Sequence, residues 1–119
     1  MFKKIIFSLI TVTIIIGIYT QIFSGSNQAK IKEILKKDVF LVDVRTPEEF
    51  KAGTVKGAVN IPLDQLSNDL SKFKGQQHII LFCRTGNRSG IAQKILKENG
   101  FENVYNGGAW TNLKELINE

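Results

Sequence analysis

His78-Ile79-Ile80-Leu81-Phe82-Cys83-Arg84-Thr85-Gly86-Asn87-Arg88-Ser89 is the stretch that decides the fold of this chain. His78 to Phe82 is an apolar run that reads as a strand, and Ser89 to Asn99 carries a helical pattern that stops at Gly100. The segment between them must turn sharply out of a strand and into a helix.

The same alternation extends outward in both directions. Upstream, Val39 to Val44 is a continuous β-branched and apolar run around Asp43, the signature of a strand buried on both faces. Thr46-Pro47-Glu48-Glu49 then supplies a cap, a proline at the first helical position and acids in the first turn, and Gly53 closes that short helix. Ala58 to Ile61 is a second brief strand ended by Pro62, and Leu63, Leu66, Leu70 and Phe73 recur beyond it at helical steps. Downstream, Asn103 to Tyr105 predicts a fourth strand before Asn106-Gly107-Gly108, and a last helix holds Trp110, Leu113 and Leu116. Strands alternating with helices in so short a chain argue for an α/β domain with a mainly parallel sheet flanked by helices. Ligands in such folds sit at the carboxyl ends of the strands.

The 119 residues leave room for one compact domain once the N-terminal segment is set aside. Residues 29–119 form that domain, opened by an amphipathic helix over Ala29 to Lys37 with Ile31, Ile34 and Leu35 at helical spacing, and residues 24–28 read as a small polar linker. Residues 1–23 read as a membrane anchor or signal segment: a basic start at Lys3 and Lys4, then an uncharged, isoleucine-rich run from Ile5 to Phe23. That run is near the lower limit for a bilayer span and longer than the usual apolar region of a cleaved signal. Ser24-Gly25-Ser26 is only a substitute for a cleavage site, which favours an uncleaved single-pass anchor in the inner membrane over release to the periplasm. Lys30, Lys32, Lys36 and Lys37 favour the cytoplasmic face, but the signal-like basic start outweighs them, and the domain is expected to be extracytoplasmic.

A net charge of +5 suggests nucleic acid, but the lysines are scattered and no aromatic residues interleave with a basic run, so no nucleic-acid partner is expected. The chain holds one cysteine and one histidine, which excludes an intramolecular disulfide and leaves no plausible zinc constellation. No metal or other cofactor is expected. The three arginines, Arg45, Arg84 and Arg88, all lie in motifs rather than in the lysine background, and their planar donor forks hint at anion recognition.

Cys83 follows the strand and stands at the N-terminus of the next helix, where unpaired backbone N–H groups and the helix dipole favour an anion. Gly86 lets the loop curl so that several N–H groups converge, and the same field, with Arg84 and Arg88 nearby, is expected to depress the cysteine pKa. The bland alternative is a small buried hydrophobe. A cysteine at a strand end, before a glycine-containing loop with two of the three arginines, is an unusual place for filler. His78 is expected to be a solvated edge group without a role, and Tyr105 and Trp110 to pack in the core or at its rim.

Taken together, Leu41-Val42-Asp43-Val44-Arg45 with Pro47-Glu48-Glu49-Phe50, then Gly57-Ala58-Val59-Asn60-Ile61-Pro62, the Cys83-to-Ser89 loop, and Gly107-Gly108 before Trp110 resemble the rhodanese family in their order and spacing. The resemblance covers the chain from Ala29 to the C-terminus. It implies a five-stranded rhodanese-like sheet and a sulfurtransferase reaction, in which the Cys83 thiolate takes sulfane sulfur from a thiosulfate-like donor. The persulfide then passes to a thiol or cyanide acceptor. Arg84, Thr85, Gly86, Asn87, Arg88 and Ser89 are expected to bind the donor. Asp43 and Arg45 match the family's strand-end pair, with a bracing salt bridge favoured over direct catalysis. Thr54 departs from the pattern, since many relatives carry histidine there, and is expected to matter little.

Two rivals stand beside this reading. Cysteine phosphatases and arsenate reductases also use a cysteine-headed anion loop, but they place five residues between cysteine and arginine. Cys83 and Arg88 have four between them, with Ser89 at the phosphatase arginine position. A binding module that carries persulfide without turnover is the other rival, and retention of the cysteine does not separate it from an enzyme.

Overall fold

A computed structural model describes residues 2–117, with side chains from 10 to 18 and from 27 to 117. The chain divides into two compact units, the first ending at Lys32 and the second beginning at Glu33.

Helix α1, Phe2–Ile34, is continuous through residues 24–28, where the sequence predicts a linker. Glycine costs about 1 kcal/mol relative to alanine in a helix interior, a small penalty once the turns on both sides have met the cost of nucleation. Ile34 is buried, as the helical spacing of that region predicts. The expectation of a membrane span through residues 5–23, and with it the single-pass placement of an extracytoplasmic domain, is corrected by the structure. Among the described residues no helix is long and apolar enough to cross a membrane. The described side chains of that stretch run from Ile10 to Ile18. The remainder of the expected span lies outside the described side chains.

The second unit is built on a four-stranded sheet: β1 (Phe40–Asp43), β2 (Val59–Asn60), β3 (Ile79–Cys83) and β4 (Val104–Ala109), in the order β2-β1-β3-β4. All three pairings are parallel, so the carboxyl ends of the strands share one edge. The fifth strand implied by the resemblance has no counterpart among the described residues. The segment ahead of β1 is helical, because its apolar residues recur at helical rather than alternating spacing.

All five residues of β3 are buried, the mark of a central strand covered on both faces. One face packs Val42, Leu81 and Val104 with Ile61, Leu66, Phe73, Ala92 and Leu96. The Phe73 ring stands edge-on to Phe40 and Phe101, with centroids 5.6 and 6.1 Å away. The region after Pro62 forms two 3₁₀ segments, Leu63–Asn68 and Leu70–Phe73, rather than the expected α-helix. Leucines three apart suit three residues per turn as well as 3.6, and Leu66 and Phe73 still reach the core.

Helix α2, Pro47–Ala52, begins with a full capping box: Thr46 Oγ1 accepts from the Glu49 N–H, and Glu49 Oε1 accepts from the Thr46 N–H. Helix α3, Asn87–Glu98, follows β3, and α4, Trp110–Leu116, follows β4. Strand β4 extends through Asn106-Gly107-Gly108, which the sequence places outside a strand. A register shift opposite Leu81 and Phe82 leaves Gly107 without a partner, a β-bulge. A Cβ on Gly107 would lie 2.8 Å from Ile80 Cγ2 and 3.3 Å from the Leu81 carbonyl oxygen. Only glycine lets β4 pass so close to β3. His78 is half-buried rather than a solvated edge group, and its Nδ1 is buried with no hydrogen-bond partner.

Candidate active site

Cys83 is the last residue of β3, in register with Ala109 of β4, and is fully buried. Its Sγ accepts the Gly86 N–H at 3.0 Å and lies 3.4 Å from Ser89 Oγ. Gly86 has φ +97°, in the left-handed region that glycine alone enters without strain, and this turns its N–H back toward the sulfur. Burial by itself pushes the thiol pKa up. The Ser89 hydroxyl, together with the N–H groups of Ser89, Thr85 and Gly86, outweighs that effect and lowers it below the ordinary cysteine value.

The loop's hydrogen bonds are the largest of the lowering effects, and the Arg88 charge couples to the sulfur as well. Arg84 is exposed and borders a cavity of about 260 Å³ with Arg45, Glu49, Ala52, Gly53 and Trp110. Arg88, in the first turn of α3, donates from both terminal nitrogens to Glu49, Nη1 to Oε1 at 2.7 Å and Nη2 to Oε2 at 3.0 Å. The Arg88 guanidinium holds the Glu49 carboxyl at about 2, well below its usual value. Thr85 and Asn87 are exposed, and Thr85 Oγ1 accepts the Asn87 N–H at 3.5 Å.

Ser89 is buried and donates its hydroxyl to Asn106 Oδ1 at 2.7 Å. Asn106 accepts a second hydrogen bond from the Gly108 N–H and donates from Nδ2 to the Gly86 carbonyl, both at 3.0 Å. One β4 side chain thus reaches both ends of the cysteine loop. No local pattern pointed to Asn106, whose partners in the cysteine loop, Ser89 and Gly86, lie 17 and 20 positions away.

Asp43 and Arg45 form a buried pair at the end of β1. Arg45 donates Nε and Nη2 to the carboxylate, with Nη2 to Oδ2 at 2.8 Å, and donates its backbone N–H to Oδ1 at 3.0 Å. Thr54 Oγ1 donates to Oδ2 at 2.7 Å, so the residue that departs from the resembled pattern closes the coordination of the buried carboxylate. Arg45 also donates to the Gly53 carbonyl and stacks 4.8 Å from the centre of the Trp110 ring. Asn60 Nδ2 donates to the backbone carbonyls of Asp43 and Arg45, which ties β2 to the same corner. Among the described residues no cluster of histidine, cysteine and carboxylate side chains is arranged to hold a metal ion.

The family model for the rhodanese-like domain matches residues 27–113. The chain is 35% identical over 77 residues to thiosulfate sulfurtransferase PspE of Escherichia coli, covering 63% of this chain and 71% of that protein. It is 41% identical over 66 residues to the uncharacterized protein YqhL of Bacillus subtilis, covering 56% of this chain and about half, 52%, of that protein. Among solved structures, a rhodanese with anions from E. coli superposes with a TM-score of 0.57 at 32% identity, covering 62% of this chain and 89% of that one. With the family model spanning most of its length and a cysteine loop set at the carboxyl edge of a parallel sheet, this chain belongs to the rhodanese-like domain family.

Proposed function

We propose that this domain is a sulfurtransferase that moves sulfane sulfur from thiosulfate or a related donor to a thiol or cyanide through a persulfide on Cys83. The observation that carries this reading is the buried sulfur whose pKa is nevertheless lowered, because the loop aims N–H groups and a hydroxyl at it. A thiol set this way reaches the nucleophilic thiolate more readily than an ordinary buried cysteine. The thiolate attacks the outer sulfur of thiosulfate, a new S–S bond forms to Sγ, and the donor's own S–S bond breaks. Sulfite leaves with the electron pair. Cyanide or a thiolate then attacks the terminal sulfur, giving thiocyanate or a new persulfide and restoring the Cys83 thiolate. Arg84 is the better placed of the two loop arginines to meet the sulfonate oxygens, since Arg88 is engaged by Glu49.

Mass spectrometry after incubation with thiosulfate tests the reading directly. The expected result is the mass of one added sulfur atom on Cys83, lost again with cyanide as thiocyanate appears. An unmodified cysteine, or faster hydrolysis of an aryl phosphate than use of thiosulfate, overturns it.

A further inference from the structure

Asn106 lies on β4, outside the loop that carries the cysteine, yet it touches Gly86 and Ser89, two of the residues that hydrogen-bond to the sulfur. Its Nδ2 donates to the carbonyl of Gly86, the residue whose N–H points at Sγ. Its Oδ1 accepts from the hydroxyl of Ser89, whose oxygen is 3.4 Å from Sγ. A serine hydroxyl has one proton, so while it is given to Asn106 it is not given to sulfur, and Ser89 can then only accept from a Cys83 S–H. The second hydrogen bond to Oδ1, from Gly108, holds the amide oriented whichever way the Ser89 proton turns.

The geometry points to Asn106 as the positioning residue of the cysteine loop, with two arms of opposite effect: it keeps the Gly86 N–H on the sulfur, which favours the thiolate, and it competes with the thiolate for the Ser89 proton. When the thiol loses its proton, the Ser89 hydroxyl turns from Asn106 to Sγ, and no atom needs to move beyond a hydroxyl rotation. The charged and titratable groups on the elements around the sulfur are Arg84 on the loop, Arg88 on α3, Asp43 and Arg45 at the end of β1, Glu49 on α2 and Tyr105 on β4. Asp43 is paired with Arg45 and Glu49 with Arg88, and none of these pairs is changed by substituting Asn106.

This inference rests on the reading of Cys83 as the reactive nucleophile, but its test titrates the thiol without any sulfur donor. A failure to use thiosulfate therefore leaves it standing, and its own failure leaves the sulfurtransferase reading intact. The experiment is the pH dependence of Cys83 alkylation by iodoacetamide in the full chain, for Asn106→Ala made in the wild type and in Ser89→Ala. In the Ser89→Ala background only the Gly86 arm remains, and Asn106→Ala is expected to raise the alkylation pKa by about one pH unit. In the wild-type background the released Ser89 hydroxyl offsets that loss, so the rise is smaller or reversed. No rise in the Ser89→Ala background, or the same rise in both, overturns the proposal. A merely structural role for Asn106 moves the melting temperature without this dependence on Ser89. Should Asn106→Ala not fold, Asn106→Ser, too short to span to the Gly86 carbonyl, is put through the same comparison with the same expected signs.

Discussion

The carboxyl ends of β1 and β3 lie side by side in one sheet and end on ionisable residues, Asp43 and Cys83, that are both fully buried. They are treated in opposite ways. The Asp43 carboxylate is enclosed by the Arg45 guanidinium and backbone N–H and by the Thr54 hydroxyl, and Arg45 is in turn fastened to Gly53 and Trp110. Cys83 Sγ has one backbone N–H at 3.0 Å and a hydroxyl at 3.4 Å that donates elsewhere. A buried charge with every partner in place is a brace, because any change in it leaves an unpaired group in low dielectric. A buried thiol with partial, adjustable donors is able to change its charge. The contrast separates a structural strand end from a chemical one within a single edge.

The largest expected effect is at the chemical end. Cys83→Ser keeps the size of the side chain and is expected to fold normally, yet to form no thiocyanate from thiosulfate and cyanide, because a hydroxyl does not form the persulfide. Turnover near the wild-type rate in that variant would show that the sulfur passes elsewhere.

Next comes the brace. Arg45→Ala leaves the Asp43 carboxylate buried without its cation, a change that typically costs about 3–5 kcal/mol, a large share of a small domain's stability. Urea denaturation measures it. If Arg45→Ala loses less than about 1 kcal/mol while abolishing sulfur transfer, the two strand ends have been assigned the wrong way round.

A smaller effect is expected from the loop arginines. Removing one charge-assisted contact to a donor dianion, about 1.5–3 kcal/mol, corresponds to a roughly ten- to hundredfold loss of kcat/KM for thiosulfate. Arg84→Ala is expected to show it with unchanged alkylation of Cys83, and Arg84→Lys to recover it only in part, since lysine restores charge but not the planar fork. Arg88→Ala is expected to lose stability as well, because it releases Glu49. Wild-type kinetics in both alanine variants count against any role for these arginines in holding the donor.

The smallest effect concerns Glu49 itself. Its carboxyl is lowered to about 2 from an ordinary value of 4.5, chiefly by the hydrogen bond from Arg88. Since the unfolded chain binds that proton first as pH falls, the stabilisation is complete above about 4.5 and disappears on acidification toward 2. The pair is partly exposed and screened by solvent, so the contribution is modest. The difference in melting temperature between wild type and Glu49→Gln is expected to shrink as pH is lowered across that window and with added salt. A difference that stays constant from pH 5 to pH 2 shows that the Glu49 carboxylate is not the group responsible.

Much of this was legible along the chain. The four strands, the Thr46-to-Glu49 helix start and the place of Cys83 between a strand and a helix follow from local periodicity and turn residues, which act over a few positions. What escaped that reading acts over longer distances. Glu49 was visible as a first-turn acid, but its partner Arg88 lies 39 positions further on. Thr54 looked dispensable because its partner, Asp43, sits 11 positions back on another element. The sequence places Asn106-Gly107-Gly108 beyond the fourth strand, and it became part of β4 only because the bulge lets that strand continue against β3.

By itself, then, the sequence determined an α/β alternation with a cysteine at a strand's carboxyl end, because hydrophobic periodicity and glycine punctuation are properties of neighbouring residues. Only the tertiary structure decided what surrounds that cysteine. The lowering of its pKa comes chiefly from converging N–H groups and the Ser89 hydroxyl. Arg88 is drawn to Glu49 across the fold, and Asn106 reaches the loop from β4. A hydrogen bond depends on distances of about 3 Å and on direction, and those are fixed by how strands pair and helices pack, not by separation along the chain.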